Sequence, residues 1–172
     1  MQMNLYGLSM TSEMTFSLAY NNQLEFGLRA LVILSHVYPH ECDLEKLSYL
    51  DYIIVHSGDF NEYLKSIHAP IPYRTTEVLV RREQMKRGIN LLCNYGLAMP
   101  VFLEKGFYYR ISEEGVPFLD SLAEAYVKYV DERASWAVRE FGKYSSSELS
   151  NLICEANIDG DAEIVFQTGV LV

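Results

Sequence analysis

The stretch EVLVRREQMKRGINLLCNYG, residues 77–96, decides how this chain is read. At 100° per residue it puts Val78, Met85, Ile89 and Leu92 on one face of a helix, and it stops at Gly96, a residue type that takes a left-handed C′ conformation without a Cβ clash. It also carries Arg81, Arg82, Lys86 and Arg87. The next stretch, AMPVFLEKGFYYRISEEG (98–115), reads as a hairpin with strands near 101–103 and 108–111 and a turn at Lys105 and Gly106. A helix ending in glycine, followed by a short hairpin, predicts a winged helix: mainly α with a small β-hairpin. Such a fold either reads DNA with that helix or serves as a protein-binding module.

The placement of the arginines argues against DNA. On the helical wheel Arg82 sits close to the buried face, Arg81 lies on its other flank and Arg87 points directly away. A DNA-reading helix presents its cations together toward the groove, with Asn, Gln or Ser for the bases. Arg81 and Arg82 are better placed to meet carboxylates inside the fold or across an interface. The formal net charge is −9, and five of the fourteen basic residues lie between Arg74 and Arg87. The rest of the chain holds nine basic against twenty-one acidic residues, a surface that phosphate backbones repel.

Working outward, 172 residues make one domain with a short appendage at most, long enough to bury a real core. We divide the chain into an arm (1–21), a winged-helix domain with a long C-terminal helix (22–142), and a final helix with an apolar tail (143–172). From Asn22, Leu24, Leu28, Leu31, Ile33 and Leu34 space as an amphipathic helix that Pro39 closes. Asp43 is a good N-cap for LEKLSYLDYIIVHS, which buries Leu44, Leu47, Leu50, Ile54 and Val55, and Gly58 suits its C′ position. A loop with at most one helical turn follows through Pro70 and Pro72, then Thr75 or Thr76 caps the next helix. Pro117 opens a long helix that places Phe118, Leu122, Ala125, Tyr129 and Trp136 at helical spacing. The segments 164–166 and 170–172 are apolar and β-prone, the kind of tail that pairs with a sheet or a partner's edge.

Thirteen Tyr and eight Phe suit interfaces as well as core edges. Three widely spaced cysteines, Cys42, Cys93 and Cys154, form no CxxC pair and fit a reduced setting. The start has no basic n-region, and the longest apolar run, 28–34, contains Arg29 and is far too short to span a bilayer. We expect a cytoplasmic protein without membrane contact.

Candidate chemistry is thin. His56, Ser57 and Asp59 in VHSGD suggest a nucleophile and its base, but adjacent residues rarely align those two and no oxyanion loop accompanies them. A helix C-terminus, where His favours the dipole, explains them better. Pro39 lies between His36 and His40 and spoils the helical spacing a metal would need. DGDAE (159–163) lacks the ligand that ends a calcium loop. No GxxxxGK[ST] or GxGxxG occurs, so no nucleotide site is visible. We therefore expect no catalytic residue, metal, cofactor or small-molecule substrate.

Three blocks carry a resemblance: DLEKLSYLDYIIVHSGDF (43–60), PYRTTEVLVRREQMKRGINLLCNYGL (72–97) and YYRISEEGVPFLDSLAEAYVKYVDERASWAV (108–138). The order LDYxxVHSGD, RxxExLVRRE, ERAxW resembles the middle component of bacterial ABC-three-component systems. That family includes or lies close to the small third subunit of the Lamassu antiphage systems. The resemblance implies a non-enzymatic subunit between an SMC-like, ABC-type ATPase and an effector such as a nuclease. DNA contact would be weak or indirect. Its motif positions here are Asp51, His56, Asp59, Arg74, Glu77, Arg81, Arg82, Arg133 and Trp136, which become the candidate partner-interface residues. The competing expectation is a winged-helix transcriptional regulator, which needs a homodimer with paired recognition helices.

Overall fold

A computed structural model describes residues 22–68 and 74–156, with the side chains of 74–79 left aside. The arm, Pro70 and Pro72, the DGDAE stretch and the apolar tail lie outside the described residues. Helix α1 (Gln23–Val37) starts where the Asn22 carbonyl oxygen of the side chain accepts from Leu24 N and Glu25 N at 2.9 and 3.0 Å. Strand β1 (Cys42–Asp43) leads straight into α2 (Leu44–Val55), capped by Asp43 accepting from Lys46 N at 2.8 Å. One helical turn, α3 (Ser57–Phe60), follows, and the loop then folds back so that Ile67 N donates to Val55 O. Helix α4 (Arg74–Asn94) ends in a Schellman motif: Leu97 N reaches Leu92 O, Gly96 N reaches Cys93 O, and Gly96 adopts φ +70°. The hairpin β2 (Ala98–Leu103) and β3 (Gly106–Ile111) has a two-residue turn, and the sheet runs β1-β3-β2, antiparallel throughout. Helices α5 (Gly115–Ser121), α6 (Ala125–Phe141) and α7 (146–156) complete it. The protein is mainly helical with a small amount of β, as its sequence predicts, and β1 extends the expected hairpin to a three-stranded sheet.

Helix α1 is the axis of the core, buried continuously from Glu25 to Leu34 except for half-buried Leu28. It crosses α4 with backbones in contact: a Cβ at Gly88 would sit 2.5 Å from Gly27 N. Met85, Ile89 and Leu92 bury the face of α4 that the wheel assigns to them; the Val78 side chain lies outside the described set. On α2, Leu47, Leu50, Ile54 and Val55 are buried as expected, joined by Tyr52 and Ile53.

Three local readings need correction. The long helix expected from Pro117 is two helices: Leu122 is extended (φ −86°, ψ 116°), and Ser121 turns its hydroxyl back to Phe118 O at 2.6 Å. The buried stripe of α6 is accordingly Val127, Val130, Ala134 and Ala137, while Ala125 and Phe118 are exposed. Gly58 does not end α2, which stops at Val55. Its lack of a side chain admits the returning loop, since a Cβ there would lie 2.9 Å from Ser66 Oγ. Thr75 and Thr76 fall inside α4, which is already helical at Arg74. Helix α7 buries Leu149 and Ile153 in the main core. Its start is a capping box, with Ser145 N donating to Glu148 Oε2 at 2.7 Å and Glu148 N to Ser145 Oγ.

Candidate partner interface

Asp51 sits at the centre of the molecule with no exposure at all, and arginines bind both its carboxylate oxygens. Arg29 Nε donates to Oδ1, while Oδ2 accepts from Arg81 Nη1 at 2.8 Å and Arg29 Nη2 at 3.3 Å. Arg29, fully buried one helix away, also donates through Nη1 to Glu25 Oε1 at 2.7 Å, a carboxylate that the Tyr126 hydroxyl bonds as well. Arg81 Nη2 approaches His68 Nδ1 at 3.3 Å. Both guanidiniums lie against aromatic faces, Arg29 at 4.5 Å and Arg81 at 5.7 Å from the Phe26 ring centre. One cluster thus ties together α1, α2, α4, α6 and the loop after α3.

Its electrostatics follow from burial set against pairing. Burial alone would push the Asp51 carboxyl up, but the two guanidiniums outweigh it and hold the group below the usual carboxylate range. Glu25 goes the other way: burial outweighs Arg29, its pKa is raised, and Oε2 has no hydrogen-bond partner among the described residues. His68 is pushed down to about 4 by burial and by the Arg29 and Arg81 charges, so it is neutral at pH 7 and its ring nitrogen can accept from Arg81. Asp51 is the ionised partner that makes two buried cations tolerable.

Of the nine motif positions, the structure brings Asp51 and Arg81 into this clamp and sets His56 beside it. His56 is buried, its ring 4.6 Å from Tyr52 and 6.5 Å from His68. The others stand elsewhere. Asp59 is exposed on α3. Arg82 is half exposed, with Nε 3.9 Å from Glu45 Oε1. Arg133 stacks on Tyr129 at 4.6 Å and donates to its hydroxyl. Trp136 packs edge-on to Phe141 at 5.6 Å. Arg74 and Glu77 open α4, with their side chains outside the described set. Sequence reasoning missed Glu25, Arg29, His68 and Tyr126. The signal for Arg29 was its place inside the apolar run 28–34, where a cation survives only with a partner.

Ser57 of the VHSGD stretch is fully buried and donates its hydroxyl to Lys65 O at 3.0 Å. His36 pairs with Asp131 at 2.7 Å, and no group of His, Cys, Asp or Glu among the described residues could hold a metal ion. No helix among them is long and apolar enough to cross a membrane.

Two apolar surfaces remain. A groove of about 730 Å³ runs between α1, α4, α5 and α6, with Leu24 and Tyr95 exposed at its rim. The hairpin exposes Phe102 (75%) and Phe107 (47%) together with Met99 and Leu103. Around it Arg82 faces Glu45 and Arg110 faces Glu41 at 3.7 Å, while on α4 Arg87 is paired with Glu83 one turn earlier at 3.3 Å.

No curated protein and no solved structure matches this chain. One family model does, over residues 19–159, the greater part of the sequence: Middle Component 2 of the ABC-three component (ABC-3C) system. The chain, with its Asp51 clamp and its aromatic hairpin, belongs to the family of Middle Component 2 of ABC-three component systems.

Proposed function

We propose that this protein is a non-enzymatic adaptor, a winged-helix subunit that bridges an SMC-like, ABC-type ATPase and an effector, such as a nuclease, in a bacterial system of defence against phages or plasmids. The element order supports the winged-helix reading: α1, β1, α2, then α4 and the hairpin, with β1 lying along β3. Family membership supports the multi-component setting, and the resemblance of the three sequence blocks to a family that includes or lies close to the third Lamassu subunit supports this kind of partner.

The observation that carries the reading is the fate of the α4 arginines. Arg81 is spent on Asp51 inside the core, Arg82 faces Glu45, and Arg87 faces Glu83. With these three arginines facing carboxylates of its own chain, the helix keeps less charge for phosphate, exposed Lys86 being the further cation among its described side chains, and the chain around it is acidic. The adaptor docks through apolar and Tyr-rich surface instead.

The test is co-expression with the other two components of its system. The ATPase should co-purify with this chain, and the isolated chain should bind duplex DNA only weakly. Tight, steeply salt-dependent DNA binding by the isolated subunit overturns the reading, and a stable dimer that shifts one specific duplex favours a transcriptional regulator.

A further inference from the structure

We propose that the β2–β3 hairpin is the adaptor's docking surface, and that it takes the apolar stripe of an amphipathic helix on another protein; this rests on the adaptor reading above. The pairing register defines the surface. Ala98 pairs with Ile111, Pro100 with Tyr109 and Phe102 with Phe107, so these six share one face. At its base Ala98, Ile111 and Tyr109 are core residues. Two pairs further on, the same face has run past the body of the protein and Phe102 and Phe107 stand in the open, packed edge to face with centroids 4.6 Å apart. Phe107 also lines a cleft of about 410 Å³, together with Leu44 and Tyr109 and the charged Asp43, Glu45, Arg82 and Lys105.

Three features select the kind of partner. First, strand addition along β2 is weakened. With a two-residue turn, Leu103 and Gly106 are the closing hydrogen-bonded pair, so Met99 and Val101 also bond to β3. Ala98, Pro100 and Phe102 then turn their backbone toward the open edge, and Pro100 has no N–H to offer a new strand there. Second, the charges around the patch cancel: Arg82 faces Glu45, Arg110 faces Glu41, and Lys105 adjoins Glu104. A neutral ring around an apolar centre complements an uncharged apolar stripe, and it draws neither phosphate nor an acidic lipid surface. Third, a helix satisfies its own backbone hydrogen bonds, so it can lay an apolar stripe on this face without needing an N–H from the β2 edge.

The experiment uses the full chain and the purified components of its system. Two double variants are compared with wild type by titration, F102S/F107S at the hairpin and L24S/Y95S at the groove, each checked by circular dichroism and melting. F102S/F107S should weaken association by roughly 30-fold or more, the size expected of a central aromatic anchor, while L24S/Y95S leaves it unchanged. A photo-crosslinking phenylalanine at position 102 should label partner residues three or four apart. If wild type binds no component, the adaptor reading itself fails. If wild type binds and F102S/F107S binds equally well, only the hairpin proposal fails. Labels on alternate partner residues, or a wild-type dimer that F102S/F107S converts to monomer, also overturn it, because the occupant is then a strand or a second copy.

Discussion

Asp51 is the residue on which the fold is most exposed to a single change. It neutralises Arg29 and Arg81 at once, and all three groups are buried. Asp51→Asn keeps the shape and removes the charge, leaving two guanidiniums without a counter-ion in the core. We expect a loss of about 3–5 kcal/mol in denaturant unfolding at pH 7. Glu25→Gln should cost far less, because burial already biases Glu25 toward its neutral form and Gln keeps an acceptor for Arg29 and Tyr126. A similar loss from both variants would mean that the cluster is held by hydrogen bonds and not by charge. His68 adds a pH dependence whose sign is fixed. Its folded pKa of about 4 lies below the ordinary 6.5, so between those values the unfolded chain binds more protons and stability falls as pH falls. Glu25, with its raised pKa, opposes this slope, and Asp51, with its lowered one, adds to it below its ordinary value of 3.8. Melting temperature measured from pH 7 to pH 4 should decline, and His68→Gln should flatten the decline.

At the scale of elements, what was legible in the sequence is what neighbours in sequence decide. Asp43 caps α2 and Gly96 ends α4 because capping is settled within a turn. The split between α5 and α6 was not legible, since the spacing of Phe118, Leu122 and Ala125 suits one continuous helix as well as two. Gly58 was assigned the wrong task for the same reason: its requirement comes from Ser66, eight residues on. Gly88 is the clearest case. It lies inside the helix that decides the fold, yet its role depends on Gly27 of α1, where the two backbones touch. Gly88→Ala improves helix propensity by roughly 1 kcal/mol. It also drives a Cβ to 2.5 Å from Gly27 N, which backbone cannot yield without moving a helix. Overpacking should win, with a net destabilisation of about 1–3 kcal/mol. A stabilised Gly88→Ala protein would mean that α1 and α4 cross more loosely than this.

For the whole molecule, composition and block order were enough to point to the family, whose match spans residues 19–159. They could not separate positions that hold the fold from positions that face a partner. Asp51, Arg81 and His56 look like recognition residues in a motif, yet they are buried, while Phe102 and Phe107 lie outside every motif and are exposed. Only the register of the hairpin and its overhang past the core distinguish them. This changes what the net charge of −9 implies. An acidic chain could dock on a basic partner through charge, and such a complex would weaken steeply as salt screens it. The hairpin instead offers aromatic surface within a ring of matched charges. Apolar contact is insensitive to screening and strengthens slightly under salts excluded from protein surfaces. The dissociation constant for the partner component should therefore change less than about threefold between 50 mM and 500 mM salt, whereas a contact built on several phosphate-like charges would weaken by orders of magnitude over that range. Calorimetric titration across those concentrations decides it, and a steep salt dependence would mean that charge, and not the aromatic surface of the hairpin, makes the contact.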